Sequence, residues 1–179
     1  QVFATDIDES ALDTARNGRY GKDAVSDVPD QYLRKYFSKI NHEYKVAKHI
    51  RQPIVFSIQN LISDPPFSRL DVISCRNLLI YLQPEVQKKV ISLFAFSLKP
   101  GGYLFLGRSD GIAGREDLFE MISKDARIFR RRTTARPDIT DFPISNSEHG
   151  VADTRKTEFT EQAARLRSLT SINQEILLS

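Results

Sequence analysis

A chain of 179 residues with one cysteine, Cys75, cannot close an internal disulfide, and a reducing compartment is expected. The three histidines, His42, His49 and His149, show no zinc-ligand spacing, so no metal is expected. The eight glycines are dispersed and none builds G-x-G-x-x-G, which removes the phosphate loop a dinucleotide site needs. No run approaches the roughly 18 to 20 uninterrupted apolar residues of a membrane span, and no charged-then-apolar leader opens the sequence. A soluble, cytoplasmic protein without direct membrane insertion is expected.

What is present lies in the globular range: 40% hydrophobic and 27% charged residues, enough for a packed core. The net charge of +3 hides a division. Residues 1 to 132 hold 21 Lys+Arg against 16 Asp+Glu, a balance of +5, and residues 133 to 179 hold 5 against 7, a balance of −2. The division falls at Arg130-Arg131-Arg132, a basic run that reads as a solvated strand end. No aromatic residue interleaves it, so nucleic acid is not expected as a partner. Residues 133–157, poor in large apolar side chains and rich in Asp, Ser, Thr and Pro, read as a linker. Residues 158–179 carry Phe159, Ala163, Leu166, Leu169, Ile172 and Ile176 at steps of three and four, the pattern of a helical connector or the start of a coiled coil, through which the chain would dimerise.

Strand and helix signals alternate through residues 1–132. Val2 to Thr5 reads as a strand stopped by Asp6, and Glu9 to Asn17 as a helix capped by Asp8 and stopped by Gly18. Tyr32 to Ile40 reads as an amphipathic helix. The apolar runs Tyr44–Ala47 and Ile54–Ile58 read as an antiparallel pair, a small β-subdomain over about 44–58. Leu70–Cys75 is a buried strand, Pro84–Leu98 a helix, and Tyr103–Gly107 a strand entered through Pro100-Gly101-Gly102. Phe119–Ile122 and Ala126–Phe129 close the domain as a hairpin. The sum is an α/β sheet, mainly parallel, with one antiparallel strand at its edge.

In such sheets ligands gather at the carboxyl ends of strands. The first strand offers Asp6, whose carboxylate suits two vicinal ribose hydroxyls, whereas Asp8 suits the helix cap. Without a pyrophosphate loop, a nucleoside ligand fits better than a dinucleotide. The strand at Leu70–Cys75 ends in Arg76 and Asn77, with Tyr81 about one helical turn on. Spacing alone leaves two readings: a cation fork, amide and phenol at one mouth of the sheet, or an arginine paired with a surface acid beside a core tyrosine. Cys75 reads as a small buried side chain and not as a nucleophile. Asp64-Pro65-Pro66-Phe67 is similar to the D-P-P-[YF] string of methyltransferases acting on exocyclic amines, but with no strand directly before it the string reads as a structural turn.

Val2-Phe3-Ala4-Thr5-Asp6-Ile7-Asp8, Gly18-Arg19-Tyr20, Asn60-Leu61, Asp64-Pro65-Pro66-Phe67, Cys75-Arg76-Asn77-Leu78-Leu79-Ile80-Tyr81-Leu82 and Leu98-Lys99-Pro100-Gly101-Gly102-Tyr103-Leu104-Phe105-Leu106-Gly107 occur in this order. Over residues 1 to about 132 the chain resembles the CheR family of S-adenosylmethionine-dependent methyltransferases, which esterify glutamate side chains of chemotaxis receptors. The C-R-N-x-x-I-Y-[LF] string is the specific part of the likeness. The resemblance implies a Rossmann-like sheet, with S-adenosylmethionine as cofactor and S-adenosylhomocysteine as product. Asp6, Asn60, Leu61, Arg76 and Asn77 would hold the cofactor, and Arg76 and Tyr81 would be catalytic. It further implies the cytoplasmic domains of chemotaxis receptors as partners, with a receptor tail docking on the small β-subdomain. The family's first strand and cofactor loop would precede Gln1, so the chain reads as an N-terminally truncated fragment, inactive by itself, of a longer protein such as a fusion with sensor modules. Two other readings stand beside it: a regulatory module that kept the fold without transfer, and an amine methyltransferase acting on nucleic acid.

Overall fold

The first helix, α1 (Glu9–Asn17), begins where Asp8 caps it. Asp8 Oδ1 accepts the backbone N–H of Ser10 at 2.9 Å and of Ala11 at 3.4 Å, donors that would otherwise lack an intrahelical partner. The helix ends at Gly18, whose φ of 62° is the left-handed C-cap conformation and whose N–H reaches Thr14 O at 2.9 Å. A side chain there would also come within 2.6 Å of Arg51 Cδ. Arg51 uses that space: its guanidinium donates to Arg16 O at 2.8 Å and to Val46 O at 3.3 Å, tying the end of α1 to the segment that precedes its own helix.

The computed structural model describes residues 1–134, in one unit from Gln1 to Asn60 and a second that begins at Leu61. All but the first two residues of the expected linker at 133–157, and the whole expected helix at 158–179, lie outside the described residues.

The first unit holds β1 (Val2–Asp6), α1, β2 (Arg19–Gly21), α2 (Asp30–Tyr36), β3 (Phe37–Ile40), β4 (Glu43–Val46), α3 (Lys48–Arg51) and β5 (Ile54–Ile58). β1 and β5 pair in parallel, from Val2 opposite Ile54 to Asp6 opposite Ile58. β2, β4 and β3 form a separate antiparallel sheet with β4 in the middle. Two expectations are corrected here. The run at 44–58 is not an antiparallel pair: both edges of β4 are taken, by β2 and β3, and β5 joins β1 instead. A short apolar run such as Ile54-Val55-Phe56 suits a buried strand and does not name its partner. The helix expected over Tyr32–Ile40 is also cut short at Tyr36, because Phe37–Ile40 finds a ladder on β4. The two-residue turn Asn41-His42 closes that hairpin, with Asn41 at φ 55°, a conformation asparagine tolerates.

The second unit holds β6 (Leu70–Cys75), a 3₁₀ turn at Leu79–Tyr81, α4 (Pro84–Ser97), β7 (Leu98–Leu106), β8 (Phe119–Ser123) and β9 (Ile128–Arg131), in the sheet order β6-β7-β9-β8. β6 runs parallel to β7, and β9 runs antiparallel to both of its neighbours. The single antiparallel strand is therefore interior, and not at the edge as expected. A short β8–β9 hairpin has to be antiparallel, and docking its second strand on β7 leaves β8 outermost. The core lies on one face of this sheet. Val86, Val90, Ile91, Phe94 and Ala95 of α4 pack with Leu104, Leu106, Phe119 and Phe129 in one buried cluster. The helix starts on Pro84 in its first turn, where a missing N–H costs nothing.

The three arginines that end the basic run are engaged within the fold. Arg130 Nε pairs with Glu120 Oε1 at 2.5 Å, Arg131 donates to Leu98 O, and Arg132 Nε donates to Glu116 O at 2.9 Å. Side chains committed to carbonyls and a cross-strand acid serve to fasten the last strand, a use that neither solvation nor phosphate contact describes.

Candidate active site

The candidate residues fall into two groups, one in each unit. In the first unit, Asp6 ends β1 and Asn60 follows the end of β5, so both stand at the carboxyl end of the same parallel pair. The turn between them is fixed by main-chain contacts: Gln59 N–H donates to Asp6 O at 3.0 Å. Asp6 Oδ1 accepts the Asp8 N–H at 3.0 Å, which orients an otherwise exposed carboxylate at the strand end. Asp8 caps the helix as expected, and Asp6 faces solvent. An exposed, oriented carboxylate at this place suits the hydroxyls of a ribose, a group S-adenosylmethionine carries.

In the second unit, Arg76 and Asn77 leave the carboxyl end of β6, and Tyr81 closes the 3₁₀ turn immediately after. All three are exposed, Tyr81 at 42%, so the alternative of a core tyrosine is excluded. Nor does Arg76 pair with a surface acid among the described residues. Its guanidinium lies over the Phe105 ring, 5.1 Å from the centroid, a cation–π contact that holds it without occupying its donors. Leu61 is half-buried and packs against the hydrophobic cluster of the second unit. The Asp64-Pro65-Pro66-Phe67 string lies in the irregular segment that leads into the amino end of β6, whereas Arg76 and Asn77 emerge from its carboxyl end.

The residue that sequence reasoning missed is Asp110. It is 2% exposed, and its carboxylate gathers three backbone donors: Asn77 N–H at 2.8 Å and Gly107 N–H at 3.0 Å on Oδ2, and Ile80 N–H at 3.2 Å on Oδ1. Its own carbonyl accepts from the Arg127 guanidinium. Gly107 has to be glycine for this to form, because a Cβ there would fall onto Asn77 Oδ1 and within 2.5 Å of Asp110 Oδ2. Asn77 sits at φ 58°, so the turn it makes is held in a left-handed conformation. The only signal in the sequence was an acid shortly after the Leu106-Gly107 strand end, which resembles any loop residue.

Cys75 points into the same core, and burial first, with the Asp110 charge second, pushes its thiol up to about 12. It is neutral at physiological pH and unsuited to nucleophilic work. Because the folded value exceeds the roughly 8.5 of an unfolded cysteine, this group costs no stability below that pH and erodes it as the pH rises from there towards 12. Iodoacetamide should therefore label the native protein slowly between pH 7 and 9 and rapidly once urea unfolds it. Fast native labelling at pH 8 would contradict the burial.

Among the described residues no helix is long and apolar enough to cross a membrane. The CheR methyltransferase SAM-binding domain profile matches residues 1–128. A chemotaxis protein methyltransferase of Vibrio cholerae is 38% identical over 124 residues, covering 68% of this chain and 45% of that protein. A second, from Pseudomonas putida, is 34% identical over 125 residues, with 68% and 46% covered. An uncharacterised 104.1 kDa protein of Rhodobacter capsulatus is 36% identical over 141 residues, 79% of this chain but 15% of its own length. The chain thus spans less than half the length of these relatives. With strands and helices in the order of a Rossmann-like sheet, and the profile match over most of its length, the chain belongs to the CheR methyltransferase family, as its S-adenosylmethionine-binding domain.

Proposed function

We propose that this protein transfers the methyl group of S-adenosylmethionine to glutamate side-chain carboxylates of chemotaxis receptors in the cytoplasm. The observation that carries the reading is the geometry of the C-R-N-L-L-I-Y-L string: a strand end that exposes Arg76, Asn77 and Tyr81 together, with the guanidinium steadied by the Phe105 ring. Asp6 and Asn60, at the end of β1 and β5, would take the ribose and adenine side of the cofactor.

The chemistry asks little in the way of proton transfer. A glutamate with a pKa near ~4.3 is already ionised at neutral pH, so no general base is required. The cofactor supplies a methyl group on a sulfonium, and its passage to a carboxylate oxygen leaves a neutral ester and a neutral thioether. Two opposite charges disappear, so the protein accelerates the step by alignment and by keeping water out. Arg76 would orient the carboxylate, and Tyr81 would line the approach. A grip on the carboxylate that was too tight would stabilise the reactant more than the transition state, which favours an arginine at a solvent-exposed turn over a deeply buried ion pair.

A receptor tail, if it docks on the small sheet by strand addition, would add at the outer edge of β2 or β3, because β4 is paired on both sides. The test uses the full-length protein with methyl-labelled cofactor and receptor cytoplasmic domains. Label released as methanol by mild alkali identifies a carboxyl ester and supports the reading. Alkali-stable label would point to an amine acceptor, and cofactor binding without transfer to a regulatory module; either result overturns it.

A further inference from the structure

Arg76, Asn77 and Tyr81 are exposed on a short segment, Arg76 to Leu82, that contains a three-residue 3₁₀ turn and a left-handed residue and is pinned to the core through Leu79 and Leu82. Such a segment has few hydrogen bonds of its own to define it. Beside the two buried leucines, its backbone is held by a carboxylate reached from elsewhere in the chain. Asp110, 33 residues beyond Asn77 and 30 beyond Ile80, accepts the N–H of both, one on each oxygen, and Oδ2 also takes the N–H of Gly107 at the end of β7. One side chain therefore joins the exits of two adjacent parallel strands and the turn that follows one of them.

We propose that Asp110 is the positioning residue of the site: by collecting the Asn77, Ile80 and Gly107 N–H groups, it sets the backbone that presents Arg76, Asn77 and Tyr81. It touches neither substrate nor cofactor in this role and acts through the turn. The chemistry favours a carboxylate. Three converging N–H donors match an acceptor-only group, whereas an amide of the same shape turns an NH₂ towards at least one of the donors. The anchor of Asp110 itself is the Arg127 guanidinium on its carbonyl, so the acid is held from behind while it holds the turn. The glycine at 107 follows from the same arrangement, as the one residue that lets the carboxylate approach both strand ends.

The inference rests on the proposed methyl transfer for its catalytic consequence, but not for its geometry, and the experiment separates the two. In the full-length wild-type protein, amide hydrogen exchange should find the Asn77 and Ile80 N–H groups protected although both residues are exposed. Exchange at the rate of free amides overturns the proposal whatever the activity. In Asp110→Asn, whose one remaining oxygen can keep the Asn77 and Gly107 bonds, protection at residue 80 should be lost, and turnover per folded molecule, counted by stoichiometric S-adenosylhomocysteine binding well below the melting temperature, should fall at least tenfold. A merely structural role lowers the folded fraction and leaves turnover per folded molecule unchanged, and that result overturns the proposal. If Asp110→Asn does not fold, Asp110→Ser and Gly107→Ala are read in the same way, and failure of all three to fold assigns Asp110 to the scaffold alone. A wild-type protein with protected amides and no transfer sinks the proposed function; the loss or retention of protection in Asp110→Asn then decides for or against the positioning role.

Discussion

Replacing Arg76 by alanine is expected to lower kcat/KM for methyl transfer to receptor carboxylate by roughly 10- to 150-fold, the loss of a charge-assisted hydrogen bond worth about 1.5 to 3 kcal/mol in the transition state. The estimate follows from where the side chain stands. Its guanidinium rests on the Phe105 face and has no acid as partner among the described residues, which leaves its donors for a substrate carboxylate. Arg76→Lys keeps the charge but loses both the planar fork and the stacking surface, and should recover only part of the rate. Folding should be insensitive to either change, because Arg76 is exposed and lies outside the buried cluster. The measurement is the rate of alkali-labile methyl incorporation at saturating cofactor, with melting temperature as control. A change of less than twofold for Arg76→Ala would remove the residue from the catalytic set.

The contrast between Arg76 and Asp110 shows what a sequence can disclose about a site. Arg76, Asn77 and Tyr81 lie within six residues of one another in a distinctive string that follows a recognisable strand, so the resemblance of that string placed them together where spacing alone left two readings. Asp6 and Asp8 were separable for a local reason too, since a residue directly before a helix is in reach of its first free N–H groups and the one two positions earlier is not. Asp110 has no local signature. Its partners are Asn77 and Ile80, and that pairing exists only after β6 and β7 have come together. The residues that do the presenting were legible, and the residue that holds them was not.

The same division runs through the fold. β6, α4, β7 and the β8–β9 hairpin each announce themselves within a dozen residues, by an apolar run, a helical stripe with a leading proline, or two strands about a short turn. Errors came where the decision depends on a remote partner. Ile54–Ile58 looks identical whether its neighbour is β4, eight residues back, or β1, some fifty residues back, and the parallel choice is made by the register of β1. Phe37–Ile40 continues the helical stripe begun at Tyr32, yet becomes a strand once the Asn41 turn brings β4 alongside. In each case tertiary pairing overrides a local preference of a few tenths of a kcal/mol per residue.

Truncating Phe129 to alanine should bring the largest loss of stability, about 3 to 5 kcal/mol. Phe129 is 1% exposed at the middle of β9, opposite Leu104 of β7 on one side and Met121 of β8 on the other, and it belongs to the cluster that α4 covers. The lost area is only part of the cost. β9 is the strand that joins β8 to the rest of the sheet, so neighbours on both sides would have to close the space, and their own ladders prevent it. Against a total of about 5 to 15 kcal/mol for a typical domain, this is roughly a fifth of the stability or more. Met121→Ala supplies the control: the side chain sits in register with Phe129 but is 51% exposed, and its loss should cost under about 1 kcal/mol. Urea unfolding of the full-length protein, followed by tyrosine fluorescence and circular dichroism, should show a large fall in midpoint for Phe129→Ala and a small one for Met121→Ala. Equal midpoints for the two variants would mean that the face between α4 and β9 is not the core, and that the hairpin is held to the sheet by its arginines instead.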